Sequence, residues 1–372
     1  MRPTIAEIDL SAIAHNIQAI RKAHSASIMA VVKANGYGHG AVEVCKTALA
    51  NGVKYLGVAS AEEGILLRKA GISAPILVFS SAGLNDTDMY LRNDLEPTIF
   101  DGPGLQNLVK SARKMEQRPK VHVKIDTGMG RMGIHWQNAL EYVKTVAAQP
   151  QVRIQSVYTH FATSDHLDKS YARLQLYRFN RVLQEIKDAG IDVPLVHAAN
   201  SGAILDLPEA AFDMLRPGVL MYGYYPSGNT TESIPVKPAM TFKTRVLYIK
   251  DIEKGDSVSY DRLFIAERPT RVASLPVGYA DGYNRLLSGQ GEVLVRGKRF
   301  PVIGRVCMDM MMIDLGDDQS VQVGDEVVLF GAQENDRVTV ESICEKVNTI
   351  PYEITCWVSE RVPRIYINRE EA

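Results

Sequence analysis

The sequence predicts an α/β protein: an N-terminal (β/α)8 barrel followed by a mainly antiparallel β C-terminal domain. Two observations carry this. Between residues 27 and 223 of the 372-residue chain, short apolar runs alternate with segments of helical spacing. After residues 225–238, which are rich in Pro, Gly, Ser and Thr, strand-like runs follow one another closely, separated by glycine pairs and acidic turns.

The elements follow in order. A short run at 5–9 precedes the barrel strands and is expected to join the second domain. A helix begins near Ser11, with Ile13, Ile17 and Ile20 on one face. Eight candidate strands lie at 27–33, 55–59, 75–79, 96–99, 121–126, 154–160, 195–200 and 214–223. The segments between them have helical spacing: Leu176, Phe179, Leu183 and Ile186 line one face of a helix that Gly190 ends. Eight such units fit a closed TIM-like barrel. A doubly wound open sheet is the alternative, because periodicity alone does not close a barrel. The β runs of the second domain lie at 241–249, 270–276, 291–295, 298–303, 310–314 and 326–330. The expected division is an N-terminal strand at 1–10, a barrel at 11–236 and a β-rich domain at 237–372.

Composition narrows the function. Hydrophobic residues make up 46% and charged residues 23%, as in an ordinary globular protein, and a net charge of −1 gives no basic surface for nucleic acid. No stretch reaches the length of a membrane span, and the N-terminus shows no apolar signal segment. Cys45, Cys307, Cys344 and Cys356 lie far apart and form no CxxC pair, so they read as reduced thiols of a cytoplasmic protein.

In barrels of this kind the chemistry sits at the C-terminal ends of the strands. Lys33 ends the apolar run Ile28-Met29-Ala30-Val31-Val32 and opens Ala34-Asn35-Gly36-Tyr37-Gly38-His39-Gly40. A partly desolvated lysine there is a nucleophilic amine that forms an imine with a carbonyl; the plain alternative is a lysine reaching out to solvent. The glycines and Tyr37 favour a ligand, by close backbone approach and a nearby hydroxyl. Lys124 and Asp126 close the fifth run, ahead of Thr127-Gly128-Met129-Gly130-Arg131. His160 closes the sixth, Asn200 and Ser201 the seventh, and Arg216, Pro217 and Gly218 lie in the eighth. Singly, each has a structural reading: a core histidine, an ion-paired arginine, a loop arginine, a capping serine. Together, five strand ends with polar groups argue for one site. Ser201 precedes Gly202-Ala203-Ile204-Leu205 and is expected to cap that helix, and such a cap is also a phosphate site. His160 and His166 lack the spacing of a helical metal pair, so no metal is expected.

These motifs resemble those of the alanine racemases, pyridoxal-phosphate enzymes of the barrel class, and the resemblance runs along essentially the whole chain. By that resemblance Lys33 holds the cofactor covalently. Tyr37, Ser201, Gly218, Val219 and Tyr352 hold its phosphate, with Asn200 beside Ser201 in the segment His197–Ser201. Arg216 bonds the pyridine nitrogen, with His160 beside it. Arg131, in the segment DTGMGR, faces the substrate carboxylate. Lys124 matches a position often carbamylated in the family, where the carbamate orients that arginine. Ser257-Val258-Ser259-Tyr260-Asp261 resembles the motif that supplies a second base, Tyr260; many relatives carry glycine at the position of Asp261. Tyr279 resembles a gate residue. Val306-Cys307-Met308-Asp309 is a further family motif, its Met308 amide expected near the substrate carboxylate. The resemblance implies a homodimer in which Tyr260, Met308 and Asp309 of one subunit complete the other's site.

The implied reaction interconverts L- and D-alanine for bacterial peptidoglycan. Two bases on opposite faces of Cα do this directly, Lys33 for the D enantiomer's proton and Tyr260 for the L enantiomer's. Arginine can only donate, so Arg216 should leave the pyridine nitrogen unprotonated and weaken the cofactor as an electron sink. Rivals are a broad-specificity or serine racemase, a same-fold amino-acid decarboxylase, and a non-catalytic pyridoxal-phosphate carrier. Arg216 and Tyr260 speak against the second, and the domain from Thr241 onward against the third.

Overall fold

In the computed structural model, residues 3–81 and 87–368 are described; residues 1, 2 and 369–372, at the ends of the expected segments 1–10 and 237–372, lie outside them. The chain forms two compact units, one of residues 13–36 and 41–237, the other of residues 1–12, 37–40 and 238–371.

In the first unit eight parallel strands lie side by side: Ser27–Val31, Tyr55–Val58, Ile76–Ser81, Glu96–Ile99, Lys120–Asp126, Arg153–Tyr158, Leu195–His197 and Met214–Leu215, the last pairing with the first. Between the seventh and eighth, Asp213 N–H donates to Val196 O at 3.0 Å and Arg216 N–H to Ala199 O at 2.9 Å. The ring is therefore nearly closed, and the open sheet is excluded. Most strand residues are buried whichever face they point to, which is why the strands read as apolar runs rather than alternations. One internal cluster joins Met29, Tyr55, Leu77 and Met214.

Helices cover the strands with the faces the spacing predicts. Ile13, Ile17 and Ile20 of Leu10–Ala23 are fully buried. In Ser170–Asp188 the buried face runs through Leu176, Phe179, Val182 and Ile186, with Leu183 only half-buried, and Gly190 follows at φ +67°. The eighth strand is far shorter than the run 214–223: Arg216, Pro217 and Gly218 break it, and Val219–Tyr222 forms a 3-10 turn. Proline removes a ladder donor, so the apolar run cannot continue as strand.

The second unit is a sheet ordered Tyr248–Ile252, Thr270–Leu275, Met311–Gly316, Lys298–Ile303, Glu292–Val295, Glu326–Gln333, Met240–Arg245, Ile5–Asp9 and Arg364–Ile367. All pairs on this path are antiparallel except the last, where the N-terminal strand runs parallel to Arg364–Ile367. The run 241–249 divides into two strands that do not pair with each other. A short hairpin, Ser257–Val258 with Phe264–Ile265, stands off the sheet. No helix among the described residues is long and apolar enough to cross a membrane.

Candidate active site

Lys33 does not end its strand. The strand stops at Val31, and the chain then turns through four consecutive left-handed residues, Ala34, Asn35, Gly36 and Tyr37, with φ of 52°, 52°, 65° and 51°. Left-handed backbone costs about 1–2 kcal/mol per non-glycine residue, so something must hold the turn. Glu63 does: one carboxylate oxygen accepts from Ala34 N–H and the other from Ala59 N–H, both at 2.7 Å. Asn35 Oδ1 accepts from Ala41 N–H at 2.9 Å. Lys33 is thus fixed at the barrel mouth on a strained turn. Glu63 was missed in the sequence, where it is one acid of a surface-like helix.

Lys124 is 5% exposed. Burial pulls its amine down to about 8, helped by the charges of Arg131, Arg216 and Lys33 and opposed by Asp126. Asp126 organises the loop that carries Arg131: its carboxylate accepts from Gly128 N–H at 2.9 Å and Gly130 N–H at 3.1 Å. Gly133, at φ +133°, lies where a Cβ would meet Asp126 N at 2.7 Å. Arg131 itself is exposed.

Arg216 is 3% exposed. Its Nη2 donates to Thr159 O at 2.7 Å and Ala198 O at 2.9 Å and lies 3.4 Å from His160 Nδ1; its Nη1 donates to His197 Nδ1 at 2.7 Å. The guanidinium also sits 5.5 Å from the ring centre of Tyr158, which stacks on His197. Burial, then the Arg216 charge, holds both His160 and His197 well below the usual histidine range, so both are neutral near pH 7.

Ser201 is not the cap of its helix. Asn200 takes that role, its Oδ1 accepting from Ala203 N–H at 3.1 Å and from Ser164 Oγ at 2.7 Å. Ser201 Oγ instead accepts from Gly218 N–H at 3.0 Å and Leu220 N–H at 3.3 Å. Both of its acceptor positions are used, which leaves its proton to donate to an anion. Ser201, Gly218 and Val219 are thereby brought to one place.

In the second unit, Tyr37 and Tyr352 pack side by side with ring centres 5.9 Å apart. Tyr260, Cys307, Met308 and Asp309 line one open surface pocket. Ser259 Oγ ties the hairpin down, donating to Arg305 O at 2.8 Å and lying 3.3 Å from Cys307 Sγ. Arg361 pairs with Asp309 at 2.6 Å and Asp281 at 3.0 Å. Tyr279 N–H donates to Cys307 O at 3.0 Å, and a Cβ on Gly278 would sit 2.2 Å from that oxygen. Tyr279 is therefore laid against the Cys307–Met308 segment. Asp261 sits at φ +61°, where glycine is the easy choice, and gains an ion pair with Arg305 at 2.9 Å.

A lysine on a held turn stands at the mouth of a barrel near Lys124, Arg131 and Arg216, a basic cluster of the kind found in barrel enzymes that bind anionic ligands. Known proteins make the family specific. The family model for the N-terminal domain of alanine racemase matches residues 8–226, and the one for its C-terminal domain residues 239–366. The chain is 46% identical to alanine racemase 2 of Caldanaerobacter subterraneus subsp. tengcongensis, over 100% of this chain and 96% of that protein. Among solved structures it resembles alanine racemase of Clostridium difficile 630 (TM-score 0.94, 35% identity, 99% of this chain and 97% of that one). It also resembles that of Bacillus anthracis with bound L-Ala-P (TM-score 0.93, 38% identity, 99% and 96%). The chain belongs to the alanine racemase family.

That family depends on pyridoxal phosphate, and the donor set fits it. The cofactor brings a phosphate, an aldehyde and a ring nitrogen. The chain offers a hydroxyl with its proton to spare at Ser201, a lysine at the mouth, and a buried guanidinium that only donates.

Proposed function

We propose that this enzyme interconverts L- and D-alanine by two-base proton transfer on a pyridoxal-phosphate-bound substrate. The observation that carries this is the pairing of Lys33, on its strained turn, with the buried, wholly donating Arg216. When bound, the cofactor withdraws electrons from Cα and makes the α-proton labile. The chain does the rest. Lys33 holds the cofactor and, once released by substrate, moves a proton at Cα on one face, that of the D enantiomer. The partner subunit's Tyr260 moves it on the other. Arg131 and the partner subunit's Met308 amide orient the substrate carboxylate, and the partner's Asp309 and the partner's Cys307 support the segment that carries that amide. Tyr37, Ser201, Gly218, Val219 and Tyr352 hold the phosphate, with Asn200 fixing the helix at Ser201. Arg216 donates to the ring nitrogen and so restrains competing reactions, His160 links it toward Tyr260, and Tyr279 gates the entrance. A free Lys124 amine is the form that reacts with carbon dioxide, which supports a carbamate there.

A homodimer is part of this proposal, with residues 237–372 reaching the partner's site. Tyr260, Met308 and Met310 are 70%, 53% and 46% exposed, an apolar face that suits a second copy. We place the enzyme in the cytoplasm, where its four free cysteines stay reduced, supplying D-alanine to peptidoglycan. The test is to incubate the protein with single L-amino acids in deuterated water and follow Cα exchange and optical rotation. Alanine should exchange and racemise fastest, and Lys33→Ala and Tyr260→Phe should abolish racemisation. No exchange in the parent would overturn the proposal.

A further inference from the structure

The barrel interior behind Arg216 is polar, and its polar groups form a line. Arg216 Nη1 contacts His197 Nδ1 at 2.7 Å; His197 Nε2 contacts Ser156 Oγ at 2.9 Å; Ser156 Oγ contacts His122 Nδ1 at 2.6 Å; His122 Nε2 contacts Glu96 Oε2 at 2.8 Å. The Tyr55 hydroxyl donates to the same Glu96 oxygen at 2.6 Å, and Lys120 Nζ lies 3.1 Å from the other. His197, Ser156 and His122 are fully buried, and Glu96 is 6% exposed. The line crosses four of the eight strands and starts from Arg216, just past the end of the eighth.

The chemistry of the two ends fixes every proton between them. A guanidinium only donates, so His197 Nδ1 accepts and the His197 proton sits on Nε2. That N–H donates to Ser156 Oγ, whose own proton then goes to His122 Nδ1. His122 carries its proton on Nε2 and gives it to Glu96, which as a carboxylate only accepts. An imidazolium at His122, or a protonated Glu96 donating to it, would aim two donors at Ser156 and leave the serine proton with no acceptor along the line. One assignment satisfies all four contacts: both histidines neutral, every dipole aligned, a cation at one end and an anion at the other. The Tyr55 hydroxyl that donates to one Glu96 oxygen and the Lys120 ammonium beside the other both favour the ionised carboxylate. The anionic end is therefore secure near neutral pH.

We propose that Glu96 is a positioning residue for Arg216: its carboxylate anchors a one-way line through His122 and Ser156 that locks His197 in the tautomer able to accept from the guanidinium. The line is a property of the chain alone; its effect on turnover rests on the function proposed above. Without the anchor, Arg216 keeps its carbonyl partners but loses the fixed acceptor that sets its tilt. Glu96 opens its strand, whereas Lys33 and Ser201 follow the ends of theirs.

Histidine-selective nitrogen-15 NMR of the holoenzyme tests the line directly, each histidine being assigned from the signal lost in its asparagine variant. His197 and His122 should both carry the proton on Nε2. Glu96→Leu should move the His122 proton to Nδ1, and Glu96→Gln, which keeps an acceptor oxygen, should restore the parental tautomer and most of the turnover. For L-alanine, Glu96→Leu and Ser156→Ala should each lower kcat about tenfold with KM changed less than about twofold, and the double variant should be no worse than either. A protonated Nδ1 at His197 in the parent, or a multiplicative loss of about a hundredfold in the double variant, would overturn the inference. Parental racemisation with the wrong tautomers sinks only the line. The right tautomers in a protein that racemises nothing sink only the proposed function.

Discussion

At the scale of single residues, Lys124 makes the sharpest statement about pH. Its amine is pulled from 10.5 down to about 8 in the fold. Between those values the unfolded chain holds the proton that the native chain has released, so unfolding takes up a proton and stability rises with pH. Below about pH 8 both states are protonated and the cost of the buried cation is present in full. In carbonate-free buffer the parent should gain thermal stability from pH 8 toward 10, and Lys124→Met should lose that slope; equal slopes would mean Lys124 is not buried as a cation. With carbon-13 bicarbonate, a carbamate signal should appear in the parent and be missing from the variant. His160 works differently. It is neutral, with Nδ1 toward Arg216, so its proton sits on Nε2 and is left to donate. Under the proposed scheme, in which the partner subunit's Tyr260 serves the L enantiomer, His160→Ala should shift the kcat pH profile of the L-to-D direction. Profiles unchanged in both directions would remove His160 from that role.

At the scale of elements, the turn after the first barrel strand is the piece that is locally unfavourable and held from outside. Removing the Glu63 clamp frees two backbone amides at once. Glu63→Ala should cost about 2 kcal/mol of stability. It should also weaken cofactor retention, measured by the rate at which bound absorbance is lost on dialysis; retention equal to the parent's would mean the turn holds itself. The turn also shows where the sequence stops being informative. The strands were legible because burial on both faces leaves an unbroken apolar run, and Ile13, Ile17 and Ile20 because a helix repeats every three to four residues. Ala34 carries no mark of left-handed backbone and Asn35 only a weak one; tertiary contacts force it. Asp261 hides its φ of +61° in the same way. The polar line was illegible for another reason: His122 sits alone between two valines and Ser156 beside Gln155, each with its own local excuse. Only the barrel's register sets them side by side. Comparing inward positions of adjacent runs would have been the one signal. The strand ends were different, because Lys33, Lys124, His160, Asn200 and Arg216 repeat one pattern at five places.

At the scale of the whole molecule, the proposed site needs two chains, and this has an arithmetic consequence. Lys33 and Tyr260 belong to different units of the fold, and in the proposed dimer each working site takes Lys33 from one subunit and Tyr260 from the other. Lys33→Ala and Tyr260→Phe should each be inactive as homodimers, since both sites lack a base. Mixed and allowed to exchange, half of the dimers become heterodimers. Each heterodimer has one site with both substitutions and one with neither. The mixture should recover about one quarter of parental activity, because a C2 pair has two equivalent sites and half the pairs regain one. Recovery should rise over the time subunits take to exchange and should vanish if the chains are cross-linked before mixing. A site built within a single chain predicts no recovery at all, since neither variant chain carries both groups. Steady absence of activity after complete exchange, shown by mass-tagged subunits, would refute the shared site even if the parent racemises alanine.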